Sequence, residues 1–455
     1  MERKEIGGLG MDAREAALLT LNACERQGGW SDNVLKKQIA SAGLDSRDAA
    51  LATQLCFGVL QNKLLLDFYL GKFSNIPLKR MEGKVLQALR LGAYQLLFLT
   101  RIPASAAVDR SVAMTRSNCK NPRAPGMVNA ILRSFQRNLD QLPTIPMEDP
   151  AEYLSILYSH PVWLVRQLLE VLGSEGTAEF LKANNGPAPM TAMVNTTKAT
   201  PEQATAALEE EGVQVEAHPW LPGCLQLSKS GSIETLQPFQ DGLFYIQDPA
   251  SRLDILASGI QPEMQVLDVC AAPGGKSFAA AIQMENRGEV ISCDIHPHKK
   301  TLIQKGAQRL GLDCITAMTA DGKVRRPEWE GRFDAVLVDA PCSGLGVIRK
   351  KPDIRYKDPE PLAGLPQIQL EILENAAGYV KENGLLMYST CTVLPRENED
   401  VVRRFLEQHP DFRPEGFTLP GPVGEVPQGM VTLWPQVHGT DGFFICKLRK
   451  VGEHS

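Results

Sequence analysis

From Phe244 onward the chain alternates short apolar runs with amphipathic stretches of helical period, and few folds accept that pattern. Continuous apolar runs suit strands covered on both faces, and the stretches between them supply the covering helices. The pattern predicts a doubly wound parallel sheet, a Rossmann-like α/β arrangement. Strands are expected at 264–270, 289–293, 313–317, 334–339, 384–389 and 442–448, and helices at 276–285, 298–310, 365–381 and 397–408. Such sheets bind ligands beyond the carboxyl ends of their strands. The residues at those ends therefore carry most of the functional information.

After the first strand comes Cys270-Ala271-Ala272-Pro273-Gly274-Gly275-Lys276. Glycine lets the backbone approach a ligand closely, and the helix N-terminus that follows favours an anionic group. Asp294 ends the second strand, where an acid usually meets a ribose diol. Asp321 follows the third strand, placed for an adenine edge, and Asp339 follows the fourth. Any one of these acids is equally at home as a turn former. As an ordered series, each after its own strand, they point to a nucleoside cofactor. The rival is a phosphate-binding P-loop, which Gly275-Lys276-Ser277 partly matches. Its leading glycine position holds Cys270, however, and Pro273 removes a backbone donor from the cradle.

Two further strand ends carry thiols: Cys342 in Asp339-Ala340-Pro341-Cys342-Ser343, and Cys391 in Ser389-Thr390-Cys391-Thr392. Most cysteines in a chain like this are small buried hydrophobes, and Cys24, Cys56, Cys293 and Cys446 fit that description. Cys342 and Cys391 instead sit among Pro, Ser, Thr and Gly. One crevice with a nucleoside and two thiols suits attack by one sulfur on an electrophilic carbon, with a second group completing the reaction. None of the ten cysteines is paired at the two-residue spacing of zinc or dithiol sites, so no metal is expected. After Cys342 comes Arg349-Lys350-Lys351-Pro352-Asp353-Ile354-Arg355-Tyr356. Arg349, Lys350, Lys351 and Arg355 read as phosphate clamps for a polynucleotide, with Tyr356 as a stacking surface.

The 455 residues are too many for one ordinary domain. Leu51, Leu55, Val59 and Leu60 recur at helical spacing, as do Val85, Leu86, Leu89, Leu91 and Leu96, so an all-α region is expected over 1–140. A proline-rich acidic run, Leu142 to Pro150, reads as a linker. A small α+β region is expected over 151–240 and the α/β domain over 241–450. The net charge is −5, yet between residues 105 and 137 six cations, Arg110, Arg116, Lys120 and Arg123 among them, face Asp109 alone. That basic patch in an acidic chain is the footprint expected for RNA. The segment Met1 to Glu5 is charged and has no leader-like apolar core, and no apolar run reaches membrane-spanning length. The expectation is a soluble cytoplasmic protein, monomeric, without a membrane partner.

The Ala-Pro-Gly-Gly-Lys, Asp-Ala-Pro-Cys-Ser and Ser-Thr-Cys-Thr segments, with Phe244 to Ser251, resemble the 5-methylcytosine RNA methyltransferases. The resemblance implies S-adenosylmethionine as cofactor. It implies Cys391 as the nucleophile, adding to carbon-6 of cytosine, and Cys342 in product release, with Asp339 in support. Related DNA enzymes use the Pro-Cys cysteine as nucleophile, so this division of roles comes from the resemblance alone. Val108 to Ala113 and Gly126 to Arg133 resemble the NusB-type RNA-binding helical domain. The three parts together resemble the bacterial family acting on 16S rRNA (Sun/Fmu type), whose usual target is cytosine 967. A cytosine-5 methyltransferase acting on tRNA or 23S rRNA, or a non-catalytic RNA-binding protein, remains an alternative. The NusB-like front argues against the first, and the paired thiols beside a cofactor loop argue against the second.

Overall fold

The computed structural model describes residues 11–27 and 31–452; the Met1 to Glu5 segment lies outside them. The chain forms two compact units, one running to Asn185 and including Lys350–Lys357, the other comprising Gly186–Arg349 and the residues from Asp358.

Among the described residues, nine α-helices build the first unit: α1 (Ala13–Gln27), α2 (Ser31–Ala42), α3 (Ser46–Gln61), α4 (Lys63–Phe73), α5 (Gly83–Phe98), α6 (Ala104–Asn118), α7 (Ala124–Arg137), α8 (Pro150–Tyr158) and α9 (Val162–Asn184). Leu18, Leu55, Val59, Leu89, Leu91, Val128, Leu132 and Phe135 meet in its core, so the helical spacing marks inward faces. Leu51 and Leu96 lie at its margin. Arg90 brings a charge into this core. It is enclosed on α5 and bonded to Asp67 at 2.7 Å and Glu25 at 3.1 Å, so its guanidinium is not buried unpaired. Ala151 to Asn185, read from the sequence as the start of the α+β region, is helical and lies within this unit.

The second unit begins with an antiparallel sheet of β1 (Met190–Val194), β2 (Gln214–Ala217), β3 (Cys224–Ser228) and β4 (Phe244–Ile246), in the order β2-β3-β1-β4. Helix α10 (Pro201–Glu210) accompanies it, started by a reciprocal Thr200–Gln203 capping box. The short turn α11 (Gln237–Gln240) leads into β4.

The large sheet contains β5 (Gln265–Asp268), β6 (Glu289–Asp294), β7 (Ile315–Thr319), β8 (Phe333–Asp339), β9 (Val380–Thr390), β10 (Phe412–Pro414), β13 (Met430–Leu433) and β14 (Phe443–Lys450); β11 (Phe417–Leu419) and β12 (Gly424–Val426) form a separate hairpin. The order is β10-β14-β9-β8-β5-β6-β7, with β13 also on β14. The five strands from β9 to the β7 edge run parallel. The C-terminal edge does not: β14 is antiparallel to β9, and β10 and β13 are antiparallel to β14. The wholly parallel sheet expected from the alternation is corrected there, because a strand can return beside its neighbour without a crossover helix when it runs the other way. Helices α12 (Pro249–Ser258), α13 (Gly275–Gln283), α14 (Pro297–Leu310), α15 (Leu365–Ala377) and α16 (Glu399–Gln408), with the turn α17 (Pro435–His438), complete the unit. The sheet's two faces bury separate cores, one around Val266, Leu337 and Met387, the other around Leu267, Val336 and Leu386. Alternate residues of one strand point to opposite faces, which is why each run is apolar throughout.

Candidate active site

The parallel register lines up the strand ends. Asp268 lies opposite Ser292 and Leu337, and Asp339 opposite Ser389. The loop after β5 turns through Gly274 at φ 114°, a conformation that side-chain-bearing residues rarely adopt. A side chain at Gly275 would come within 3.1 Å of the Gln247 amide nitrogen. That nitrogen is buried without a partner. It faces a cavity of about 200 Å3 lined by Gln247, Asp248, Ser251, Cys270 to Pro273, Gly275, Lys276 and Asp339.

Lys276 turns across to the end of β8, where its ammonium meets Asp339 at 2.6 Å and lies 4.7 Å from the centre of the Phe443 ring. It is enclosed, and so are Asp254 on α12 and Asp268 on β5. Burial works against the Lys276 charge, but Asp339, Asp254 and Asp268 outweigh it and hold the pKa above its ordinary value. Burial pushes the Asp254 carboxyl up to about 6 and that of Asp268 up to about 7, against partial relief from Lys276. Ser389 donates to Asp254 at 2.8 Å and Ser277 donates to Asp268 at 2.7 Å. One oxygen of each acid is left without a protein partner.

The two thiols of the sequence analysis meet. The Cys342 and Cys391 sulfurs lie 3.1 Å apart, and both residues are half-buried. The hydrogen bond to Cys391 and burial push the Cys342 thiol well above the ordinary range, and either sulfur can be the donor of the contact. A third thiol, Cys270 on the loop after β5, is pushed up by burial beside Asp268 and Asp339.

Both cysteine loops are tied to each other. Ser343 and Thr392 share a hydroxyl bond of 2.8 Å. The Gly346 amide donates to the Cys391 carbonyl at 2.9 Å, and a side chain at Gly346 would lie 1.8 Å from the Gly442 carbonyl. Behind the loops lie two residues that the sequence analysis missed. The enclosed Glu397 carboxylate accepts from the Ser343 amide at 2.9 Å and from Gln369 at 3.0 Å. Asn398 bonds Thr390 at 2.6 Å and the Thr392 carbonyl at 3.1 Å. Their only signal in the chain was an acid and an amide close after Cys391.

Asp294 and Asp321 end up outside the cavity lining. Asp294 is buried, accepts from the His296 amide at 2.9 Å and pairs with Lys299 at 3.4 Å. Asp321 is half-buried and accepts from the Lys323 amide at 3.0 Å.

The basic stretch after Cys342 requires a correction. Arg349 is buried in the second unit, with Asp441 at 2.9 Å and Asp248 at 3.7 Å. Arg355 is fully enclosed in the first unit, donating to Asn185 at 2.7 Å and the Ser159 carbonyl at 3.2 Å. Tyr356 donates to the Leu60 carbonyl at 2.7 Å. In this arrangement these two arginines face carboxylates and carbonyls, and no phosphate can reach them; the tyrosine too is engaged internally. Lys351 is exposed and Lys350 half-buried beside Ser31 and Asp353. On the helical unit, Arg110, Arg116, Lys120 and Arg123 are all exposed, with Arg110 paired to Asp12.

Three family models match the chain. Residues 256–449 match 16S rRNA methyltransferase RsmB/F, 11–137 the NusB family, and 160–234 the ferredoxin-like domain of RsmF/B-like methyltransferases. A Bacillus subtilis protein named probable ribosomal RNA small subunit methyltransferase B is 40% identical over 446 residues, 96% of this chain and 99% of its own. The chain belongs to the RsmB/F family of 16S rRNA methyltransferases. A ribosomal RNA small subunit methyltransferase B of Erwinia tasmaniensis is 33% identical over 87% of this chain and 89% of its own. The crystal structure of PH0851 superimposes with a TM-score of 0.81, at 25% identity, over 97% of this chain and 99% of that one. The RsmB/F assignment bears out the resemblance, including the NusB-like front, and makes the small α+β part a ferredoxin-like domain.

Proposed function

We propose that this protein methylates carbon-5 of a cytosine in 16S rRNA, through a covalent adduct between Cys391 and carbon-6, with S-adenosylmethionine as methyl donor. The observation that carries this reading is the pair of sulfurs 3.1 Å apart at the ends of neighbouring parallel strands, one strand from the glycine loop. The names of the relatives and the NusB match support small-subunit rRNA as substrate, and the family resemblance points to cytosine 967.

The residues present fit the cofactor. An unpartnered buried amide on Gln247 and a side-chain-free Gly275 make a cradle for a polar group at the helix start. Gly274, Gly275 and the Cys270–Lys276 loop would hold the amino-acid end, Asp294 the ribose diol and Asp321 the adenine edge. When bound, S-adenosylmethionine supplies an electrophilic methyl group.

The chain's own groups supply the rest. The Cys391 thiolate gives its electron pair to carbon-6, and the displaced ring electrons make carbon-5 nucleophilic. After the methyl group is bonded, carbon-5 loses its proton, the ring double bond re-forms and the carbon–sulfur bond breaks. A sulfur already bonded to the ring cannot also take its proton. Cys342, 3.1 Å from it, is the group for that later step: its thiol proton passes to the departing Cys391 sulfur, and the Cys342 thiolate so formed takes the proton from carbon-5. Asp339, fixed by Lys276, would be the acceptor for a hydrogen bond from the ring.

Cys391→Ala should give neither methylated RNA nor adduct. Cys342→Ala should attack, methylate and stall, leaving an RNA–protein species that survives denaturing electrophoresis. Adduct accumulating in Cys391→Ala instead would reverse the roles. Full activity in both variants would remove covalent catalysis by these thiols. Bisulfite mapping of RNA from cells lacking the protein identifies the nucleotide, and an unchanged 16S map would sink the substrate assignment.

A further inference from the structure

We propose that Glu397 and Asn398 are positioning residues that hold the two sulfurs in their working arrangement, an inference that rests on the reading of Cys391 and Cys342 above. Neither touches the reacting atoms. Each reaches a different cysteine loop, and they are adjacent in the chain, so one peptide unit sets the distance between the loops.

The Glu397 carboxylate accepts from the amide of Ser343, the residue after Cys342. The same oxygen accepts from Gln369, which also donates to the Pro341 carbonyl on the other side of Cys342 at 3.0 Å. The Glu397 carbonyl accepts from Tyr388 on β9 at 2.6 Å. Asn398 brackets the other sulfur, bonding the Thr390 hydroxyl before Cys391 and the Thr392 carbonyl after it.

Two features weigh against an ordinary structural role. Asn398 occupies the N-cap position of α16, where asparagine normally bonds the first free amides of the helix. Its side chain makes no such bond and turns to the Cys391 loop instead. Glu397 is fully enclosed, and its second oxygen has no partner. An acid used only to satisfy an amide would be an expensive choice there, since an amide or hydroxyl accepts the same bond without burying charge. The carboxylate also adds to the proton affinity of Cys342.

The test reads the sulfur geometry without RNA or methyl transfer. Diamide removes two electrons and two protons from a thiol pair to form a disulfide, and is itself reduced to the hydrazine. Its rate of joining Cys342 to Cys391, followed by peptide mass spectrometry, depends on how the two sulfurs meet. The wild type should cross-link readily. In Glu397→Ala/Asn398→Ala the rate should fall at least about ten-fold, and adduct formation in the Cys342→Ala background on the order of 100-fold, the usual effect of a ~1 Å misplacement. Glu397→Gln keeps an acceptor for Ser343 and should restore most of the cross-linking while shifting the pH profile of methylation. Cofactor affinity should not move in any variant. Cross-linking at the wild-type rate in the double variant overturns the proposal. Loss of cofactor affinity in the same variant assigns the pair to the fold and overturns it equally. If the geometry responds as stated but no variant or wild type forms an adduct, the covalent reading has failed and the positioning result stands.

Discussion

The Lys350–Lys357 turn and the α6–α7 pair are both rich in cations around a proline, and they differ in what surrounds those cations. Arg355 is enclosed by Ser159, Asn185 and their neighbours, while Pro352 and Ile354 are buried beside it. Arg116, Lys120 and Arg123 stand on a surface and have no ion-pair partner among the described residues. An arginine offers five donors in a rigid fork and can be buried if carbonyls converge on it. A surface cation keeps its water and is available to a phosphate. Local charge alone therefore cannot assign a nucleic-acid contact. The apolar residues between the charges decide, because they pull one stretch inward and leave the other outside.

Three measurements break or sharpen this contrast. The largest effect should come from Arg355→Ala, which leaves the Asn185 side-chain oxygen and the Asn184 carbonyl without that donor. Each buried polar group so stranded costs roughly 1–3 kcal/mol, so equilibrium unfolding should show a loss of about 2–5 kcal/mol. RNA affinity measured against salt should keep its slope. A stable variant with a flatter slope would put Arg355 on the RNA after all.

Neutralising Arg116, Lys120 and Arg123 together should do the reverse. Stability should stay within about 0.5 kcal/mol, as for ordinary surface changes. The slope of log affinity against log salt should fall by about 0.7 to 0.9 for each lost phosphate contact. Adding Arg110→Ala should change it less, because Asp12 already neutralises that guanidinium. An unaltered slope would show that these cations are only solvated.

A further effect concerns buried acids. Asp254 and Asp268 titrate at about 6 and about 7 in the folded protein, against about 3.9 unfolded. The folded state thus binds more protons than the unfolded one between those values. Their contribution is complete below about pH 4 and is lost as pH rises through about 7. The cofactor-free protein should lose stability from pH 5 to 8, and Asp268→Asn should flatten that decline. An equal pH slope in the variant would show that Asp268 is already ionised at the lower pH.

Much of the α/β domain was readable because its strands carry apolar runs and three of them, β5, β6 and β8, end in Asp. That is why the meeting of Cys342 with Cys391, and of Lys276's loop with Asp339, lies so near what the alternation implies. The antiparallel edge was not readable, since an apolar run carries no sign of its direction. Nor were Glu397 and Asn398, which act through bonds to backbone groups whose positions only the fold determines. Arg90 was invisible for a related reason. It interrupts an apolar helix, and its two acids come from α1 and α4.

The contact between Gly346 and Gly442 also bears on the order in which the site comes into being during synthesis. The Gly442 amide bonds the Gly346 carbonyl, and β14 pairs with β9 from Leu385 to Thr390. Domains form as they emerge from the ribosome, N-terminal parts first. The helical unit's own helices and the glycine loop can take shape while β14 is still unmade. Cys391 cannot be seated against its final backbone neighbours until residues beyond Gly442 have emerged. A nascent chain stalled before Gly442 should have both thiols alkylated faster than in the finished protein, and equal rates in the two would show that the Cys391 loop is shaped without that last strand.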